Sequence, residues 1–462
     1  MSSERKLQLK PGERLHLIGI GGVGMSGLAS ILAERGFAVS GSDIRESARL
    51  DGLRELGVEV ALGQTEDGAA GADVVVRSSA IKDENLELAG ARARDIPVFH
   101  RSDLLAALVE GQRKVAVSGT HGKTTITAML GTILLGCGHD PTVIVGGDAH
   151  NLGGNHHLGT EPLAVFEACE SDRSFIKYGP CSEVVSCIEA DHLDVYGDFA
   201  SVCEAFREFL ALVPADGFLA YGTSSAVLCE MAQDAAGAKI PFGLDAGAAV
   251  SADRVCASEF GVKFRVCVEG ASGPEVSLAV PGKHNVVNAL GAIGAARELG
   301  VAVEDAADAL CAFRGVGRRF ELVGRLGGAL VVDDYAHHPT EVAAALAAAR
   351  SGWDRRIVAI FQPHLYSRTR NFLDGFAAAL AEADVIVVND IYGAREEPID
   401  GVSASQLAEA VRARVSDKQV EYVPEKAAIV DLVREIARSE DLILILGAGD
   451  IRAVAEELTQ QR

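Results

Sequence analysis

Short apolar runs alternate with longer stretches of helical spacing along the first hundred residues, the pattern of strands that feed helices and return to a parallel sheet. Leu15 to Ile18 reads as a strand, a glycine turn follows, helical spacing carries to about Arg35, and a second extended run ends at Asp43. Asp73 to Arg77 is again strand-like, Asn85 to Arg94 helical, and Pro97 to His100 short and extended. A new start comes at Lys114-Val-Ala-Val-Ser118, an apolar run that enters a second glycine turn and then helical spacing from Thr124 to Leu135. Further strands are expected at Leu163 to Ala168 and Glu183 to Ile188, and a helix from the Pro281-Gly-Lys-His284 turn towards Leu299. In the last third, strands are expected near Ala329 to Asp334, Ile357 to Gln362, Val385 to Asp390 and Leu442 to Leu446. Helices separate them, and Pro339 suits the first turn of the one running to Arg350. The chain therefore reads as α/β with three domains, at 1–110, 111–316 and 317–462: Rossmann-like, then P-loop-type with a mainly parallel sheet, then Rossmann-like again.

Composition narrows the classes of ligand. With 462 residues, 48% of them apolar, the chain can build several cores. A net charge of −22 argues against sequence-independent binding to nucleic acid or to an anionic membrane, so anionic ligands have to be held by local donors. The nine cysteines form no CxxC pair, which fits reduced thiols in a cytoplasmic enzyme better than a disulfide framework or a zinc site. Leu15 to Leu32 is too rich in glycine for the core of a signal peptide, and no other stretch is long and apolar enough to suggest membrane insertion.

Two turns then carry the chemistry. Gly19-x-Gly21-x-x-Gly24 lies between a strand and a helix, with Asp43 near the distance at which an acidic residue meets a ribose hydroxyl. A diphosphate at the helix N-terminus is the chemical content of that motif; an NAD-dependent oxidoreductase is one reading of it. Val117-Ser-Gly-Thr-His-Gly-Lys-Thr-Thr125 is a triphosphate cradle: glycines open the backbone to phosphate oxygens, Lys123 offers an ammonium and Thr124 a hydroxyl for Mg²⁺. Glu167-Ala-Cys-Glu170-Ser-Asp172 and Glu189-Ala-Asp191-His192-Leu-Asp194 follow the next two strands, where phosphates and a metal would lie. Gly147 to Gly159 reads as a flexible loop whose Asn151, Asn155, His156 and His157 are candidate ligand contacts. His284, Asn285 and Asn288 suit ring stacking and amide contacts with a base; Asp333-Asp334-Tyr335-Ala-His337-His338 and His364-Leu-Tyr-Ser-Arg368 occupy strand-to-helix turns of the third domain. Two phosphate turns and a carboxylate cluster exceed what hydride transfer needs, and they suit ligation in which a carboxylate is activated by phosphorylation.

The order of these motifs resembles the Mur ligase family along nearly the whole chain. Matching stretches are Gly19-Ile-Gly-Gly-Val-Gly-Met-Ser-Gly27, Gly119-Thr-His-Gly-Lys-Thr-Thr125, Glu189-Ala-Asp-His192, Gly282-Lys-His-Asn285, Gly317-Arg-Arg-Phe320, Asp333 to Glu341 and Phe361-Gln-Pro-His364. The resemblance implies an ATP-dependent amide ligase of peptidoglycan precursor synthesis, whose first domain takes the UDP of the sugar substrate rather than NAD. Gly21, Gly22, Gly24 and Asp43 would then serve UDP; Gly119, Thr120, His121, Gly122, Lys123, Thr124 and Thr125 would hold ATP. Thr124, Glu167 and His192 would surround magnesium, with Lys123, Glu167 and His192 as catalytic residues. His284, Asn285, Asn288, Arg319 and Asp334 would complete the ATP site, and Tyr335, His338 and Arg368 would bring the third domain onto nucleotide or amino acid. Some family members use a carbamylated lysine, but none lies between Lys177 and Lys239, which favours the branch that joins L-alanine to UDP-N-acetylmuramic acid. A murein-peptide recycling ligase is the nearest alternative, a non-catalytic nucleotide-binding regulator a further one; monomer and homodimer are both compatible. Two positions depart from the family pattern: Cys169 where aspartate is usual, and Cys187 where asparagine is common.

Overall fold

The computed structural model describes residues 6–179, 181–245, 247–394 and 396–460, which fall into two compact units. The first unit comprises the chain to Ile188 with Cys203–Phe242 and Gly291–Ala309. It begins with a five-stranded parallel sheet in the order Glu59–Leu62, Ala38–Asp43, Arg14–Ile18, Val74–Arg77, Val98–His100. Arg14–Ile18 is central and pairs on one side with Ala38–Asp43 and on the other with Val74–Arg77. The strand order reverses at that point, which opens a crevice at the carboxyl end of Arg14–Ile18, and the glycine turn sits there. Leu15, Leu17 and Ile18 are fully buried, as expected for a strand covered on both faces.

Within the same unit a second sheet runs Ala238–Phe242, Phe218–Gly222, Ser182–Val185, Arg113–Ser118, Leu163–Glu167, Thr142–Ala149, Gly154–His157. All neighbours in that series are parallel except the last pair. Arg113–Ser118 delivers the second glycine turn into the helix Lys123–Gly136, whose apolar face, with Ile126, Met129, Leu130 and Ile133, is wholly buried. The expected flexible loop at Gly147 to Gly159 is instead ordered: Thr142–Ala149 turns through a 3₁₀ segment at His150–Leu152 and returns as the antiparallel strand Gly154–His157. Its glycines and histidines concealed the hairpin, because neither residue type advertises a strand.

The second unit contains Glu189–Val202, Gly243–Leu290 and the chain from Leu310. Three antiparallel strands, Val250–Ser258, Gly261–Val268 and Ala271–Leu278, precede the turn at Gly282. A six-stranded sheet follows in the order Glu321–Leu326, Ala329–Asp334, Asp441–Leu446, Arg356–Phe361, Val385–Val388, Gln419–Tyr422, parallel except for its first pair. Among the described residues no helix is long and apolar enough to cross a membrane.

Candidate functional site

The triphosphate turn is shaped by two left-handed glycines, Gly119 at φ +118° and Gly122 at φ +81°. A Cβ on Gly119 would run into Ser186 Oγ, so only glycine lets the turn lie this close to the neighbouring strand end. That strand end also fastens the turn: Thr120 N–H donates to the Cys187 carbonyl at 2.9 Å, and the Ser186 hydroxyl donates to the His121 carbonyl. Gly122 caps the helix that starts at Lys123, and Thr124 and Thr125 lie buried in its first turn. Lys123 Nζ donates to the Gly119 carbonyl at 2.7 Å and to Glu170 at 3.0 Å. Burial opposes its charge, but the carboxylates of Glu170 and Glu167 outweigh burial and hold the ammonium above its ordinary value.

Thr124 Oγ1 donates to Glu167 Oε2 at 2.8 Å, and Gly146 N–H donates to the same oxygen at 3.0 Å. A hydroxyl and a carboxylate converging at a helix N-terminus make an all-oxygen donor set, which fits Mg²⁺. Neither departure from the family pattern removes one of the oxygen donors of this set. Cys169 Sγ donates to Ser171 Oγ at 3.1 Å, and Cys187 contributes to the turn through its backbone carbonyl, which any residue supplies.

At the diphosphate turn Gly21 N–H donates to Asp43 Oδ2 at 2.9 Å, while Asp43 Oδ1 accepts from Ile44 N–H. Gly22 precedes the helix Val23–Glu34, and a Cβ on Gly24 would stand 3.3 Å from Arg101 Nη1. A largely buried guanidinium therefore overlies the turn. Ser79 joins it to its surroundings, its hydroxyl donating to Asp172 at 2.9 Å, lying 2.8 Å from His100 Nε2 and accepting from Arg101 Nε at 3.3 Å. Burial lowers His100 to a pKa of about 4, so it is neutral here. Sequence reasoning missed Ser79, His100, Arg101 and the partnership of Glu170 with Lys123. The first three lie at or just after the carboxyl ends of strands Val74–Arg77 and Val98–His100, the same signal that pointed to the other ligand loops.

In the second unit His192 adopts φ +53° at the start of a short helical turn, with its N–H donating to Asp191 Oδ1 at 2.8 Å. Arg368, only 4% exposed, donates to Asp191 Oδ1 through Nε at 3.1 Å and Nη2 at 2.7 Å. Burial would raise the Asp191 carboxyl, and His192, Arg368 and His337 overcome it, so Asp191 is held well below the usual range. In this structure Arg368, expected near nucleotide or amino acid, pairs with a protein carboxylate. His338 caps the helix Pro339–Gly352 and lies 3.3 Å from the Ala190 carbonyl, while Thr340 Oγ1 donates to Glu189 at 2.7 Å. Together these contacts dock the Glu189–His192 segment on the third sheet.

Tyr335 lies beneath two guanidinium groups, with Arg318 at 4.8 Å and Arg319 at 5.3 Å from its ring centre. Asp334 accepts from the N–H groups of Phe320 and Ala336, both at 2.8 Å, and burial raises it to a pKa of about 6. His284 is lowered to about 4 by burial and by the charge of Arg319. Asn285 donates to the Pro281 carbonyl at 2.7 Å and accepts from Asn288 at 3.2 Å, so these amides brace the turn that presents His284.

A phosphate cradle beside paired carboxylates, a separate diphosphate turn and a third α/β sheet with a polar carboxyl end define a nucleotide-driven ligase. Sequence profiles name the lineage: the "Mur ligase family, catalytic domain" matches residues 14–113, the "Mur ligase middle domain" 117–296 and the "Mur ligase, glutamate ligase domain" 318–449. The UDP-N-acetylmuramate–L-alanine ligase of Geotalea daltonii is 41% identical over 97% of this chain and 98% of its own length, and that of Syntrophotalea carbinolica 42% over 96% and 97%. Among solved structures, a UDP-N-acetylmuramate–alanine ligase from Thermotoga maritima superposes with TM-score 0.83 at 29% identity, covering 96% of this chain and 98% of its own. A murein peptide ligase from Psychrobacter arcticus gives TM-score 0.74 at 25% identity, covering 97% and 98%. The chain belongs to the Mur ligase family.

Proposed function

We propose that this enzyme joins L-alanine to the lactyl carboxylate of UDP-N-acetylmuramic acid, converting ATP to ADP and phosphate, in peptidoglycan precursor synthesis. The observation that carries the reading is the triphosphate turn with Lys123 held charged between its own backbone and Glu170, beside the Thr124–Glu167 pair. The full-length likeness to alanine ligases supports the choice of substrates. Domains at 1–110, 111–316 and 317–462 divide the work among UDP-sugar, ATP and amino acid.

The substrate carboxylate is a poor acyl donor, because oxide would have to leave. Its oxygen attacks the γ-phosphorus, ADP departs, and an acyl phosphate forms. The amine of L-alanine then attacks the acyl carbon, loses a proton and expels phosphate. Lys123 exchanges its backbone partners for β- and γ-phosphate oxygens and offsets the charge that develops on them. Thr124 and Glu167 would hold Mg²⁺, with His192 as the further ligand that the family resemblance implies, and the bound ion would draw charge from the phosphate oxygens. Gly21, Gly22 and Gly24 receive the UDP diphosphate at a helix N-terminus, Asp43 meets the ribose, and Arg101 adds a cation above the turn. His284, Asn285, Asn288, Arg319 and Asp334 frame the nucleotide; Tyr335 and His338 bring the third domain to the amino acid, and Arg368 acts there by fixing Asp191 next to His192. The enzyme acts in the cytoplasm as a monomer or homodimer.

Phosphate release from MgATP and UDP-N-acetylmuramic acid tests this, comparing L-alanine, the tripeptide L-Ala-γ-D-Glu-diaminopimelate and no acceptor. Release that requires both sugar and L-alanine, with the amide product seen by mass, supports the reading. Preference for the tripeptide reassigns the enzyme to murein-peptide recycling.

A further inference from the structure

The hairpin Thr142–His157 joins the two phosphate sites physically. On the first strand, Gly146 N–H donates to Glu167 Oε2 at 3.0 Å, and no Cβ fits at Gly146 because it would collide with the Glu167 carboxylate. On the facing strand Asn155, 6% exposed, donates through Nδ2 to the Val23 carbonyl at 2.6 Å and to Ser26 Oγ at 2.9 Å. Val23 is the first residue of the helix that follows the diphosphate turn. The approach depends on Gly27, where an added Cβ would stand 3.2 Å from Asn155 Oδ1. Two further pairs link the hairpin to the neighbouring helices: Asp148 with Arg49 of helix Ala48–Glu55 at 2.7 Å, and His156 with Glu34, the last residue of helix Val23–Glu34, at 3.4 Å.

We infer that Asn155 is a positioning residue, a tether that holds the UDP-binding turn in register with the Glu167 carboxylate across the hairpin. The inference rests on the proposed function for the identity of the two phosphates. Its physical content is that one buried amide with two donations fixes the first helical turn, and thereby the N–H groups a diphosphate uses, relative to the hairpin whose other strand braces Glu167. Ser26 and Gly27, invisible to any account of the turn as a phosphate cradle alone, are explained as the acceptor and the clearance for that amide.

Asn155→Asp tests the tether, since it preserves volume, removes the only donor and sets a carboxylate oxygen against the Val23 carbonyl. The KM for UDP-N-acetylmuramic acid is expected to rise about tenfold or more, as for loss of a buried hydrogen bond, with the KM for ATP within about twofold. Asn155→Ala is expected to do the same, and Gly27→Ala to act in the same direction by displacing the amide. A selective loss of UDP affinity, read by calorimetry with UDP alone, reports on the tether even if the wild-type enzyme ligates nothing from the expected substrates. That separates failure of the tether from failure of the functional reading. Thermal melts of each variant monitor folding. Unchanged UDP affinity in both Asn155 variants overturns the inference, as does an equal rise in both KM values accompanied by lost thermal stability.

Discussion

The two glycine turns of the first unit share a plan and differ in what surrounds it. Each follows the central region of a parallel sheet and opens a helix, and each uses glycine where a side chain would strike a neighbour: Asp43 beside Gly21, Ser186 beside Gly119. At the first turn the nearest acidic group, Asp43, is occupied by the backbone N–H groups of Gly21 and Ile44. At the second, Lys123 and Thr124 each face a carboxylate, Glu170 and Glu167. On the proposed reading, a helix N-terminus, a few N–H groups and the fixed Arg101 guanidinium suffice to hold a diphosphate that remains intact. A phosphate that is to be transferred needs mobile charge as well, and the second turn stores it as an ammonium and a hydroxyl already paired with partners that ligand can replace.

The sharpest way to break this comparison is to remove the ammonium. Lys123→Ala alone would take from the buried Glu170 the ammonium that donates to it, so the informative variant is Lys123→Ala with Glu170→Gln. It is expected to lose about 10³-fold or more in turnover while UDP binding by calorimetry stays within a few fold. Turnover within about tenfold of wild type would sink the assignment of chemistry to the second turn.

A matched pair of alanines comes next in size. Gly119→Ala forces a side chain onto a φ of +118° and into Ser186, and it should raise the KM for ATP by about 10²-fold with little change for UDP-sugar. Gly21→Ala places its Cβ 2.9 Å from Asp43 Oδ2, which can rotate away, so the KM for UDP-sugar should rise by about tenfold and that for ATP should not. If both variants impaired both ligands alike, the turns would not be separate sites.

How much of this was legible in the sequence follows from the range of the signals. Arg14–Ile18, Arg113–Ser118, Ala329–Asp334 and Asp441–Leu446 are buried parallel strands, and their apolar runs announce them. The three strands between Val250 and Leu278 escaped notice because exposed positions such as Asp253, Arg254 and Glu275 dilute the pattern. Both glycine turns were readable because their chemistry is local. The pairing of Lys123 with Glu170, and of Arg368 with Asp191 across 177 positions, is set by the fold and has no local signature. Asn155 could be singled out by type and glycine-rich surroundings, but its partner was taken to be a ligand rather than a helix.

The smallest effect distinguishes how the two turns are braced against acid. The second turn is held by a charged ammonium and carboxylates, whereas the first has neutral His100 at its side, bound to Ser79 and accepting the Ser102 N–H as the cap of helix Arg101–Leu108. The folded value of about 4 lies below the ordinary 6.5, so as pH falls through 6.5 the unfolded chain takes up this proton first. The stability that neutral His100 contributes is therefore fully present above pH 6.5 and is lost between 6.5 and about 4, where protonation also removes the cap acceptor. Allowing for its partial exposure, about 1 kcal/mol should be lost by pH 5. His100→Asn keeps a capping oxygen and cannot titrate. The expected outcome is a urea midpoint that falls less steeply between pH 7 and pH 5 in His100→Asn than in wild type; parallel curves would show that the charge state of His100 is not what couples this side of the molecule to acid.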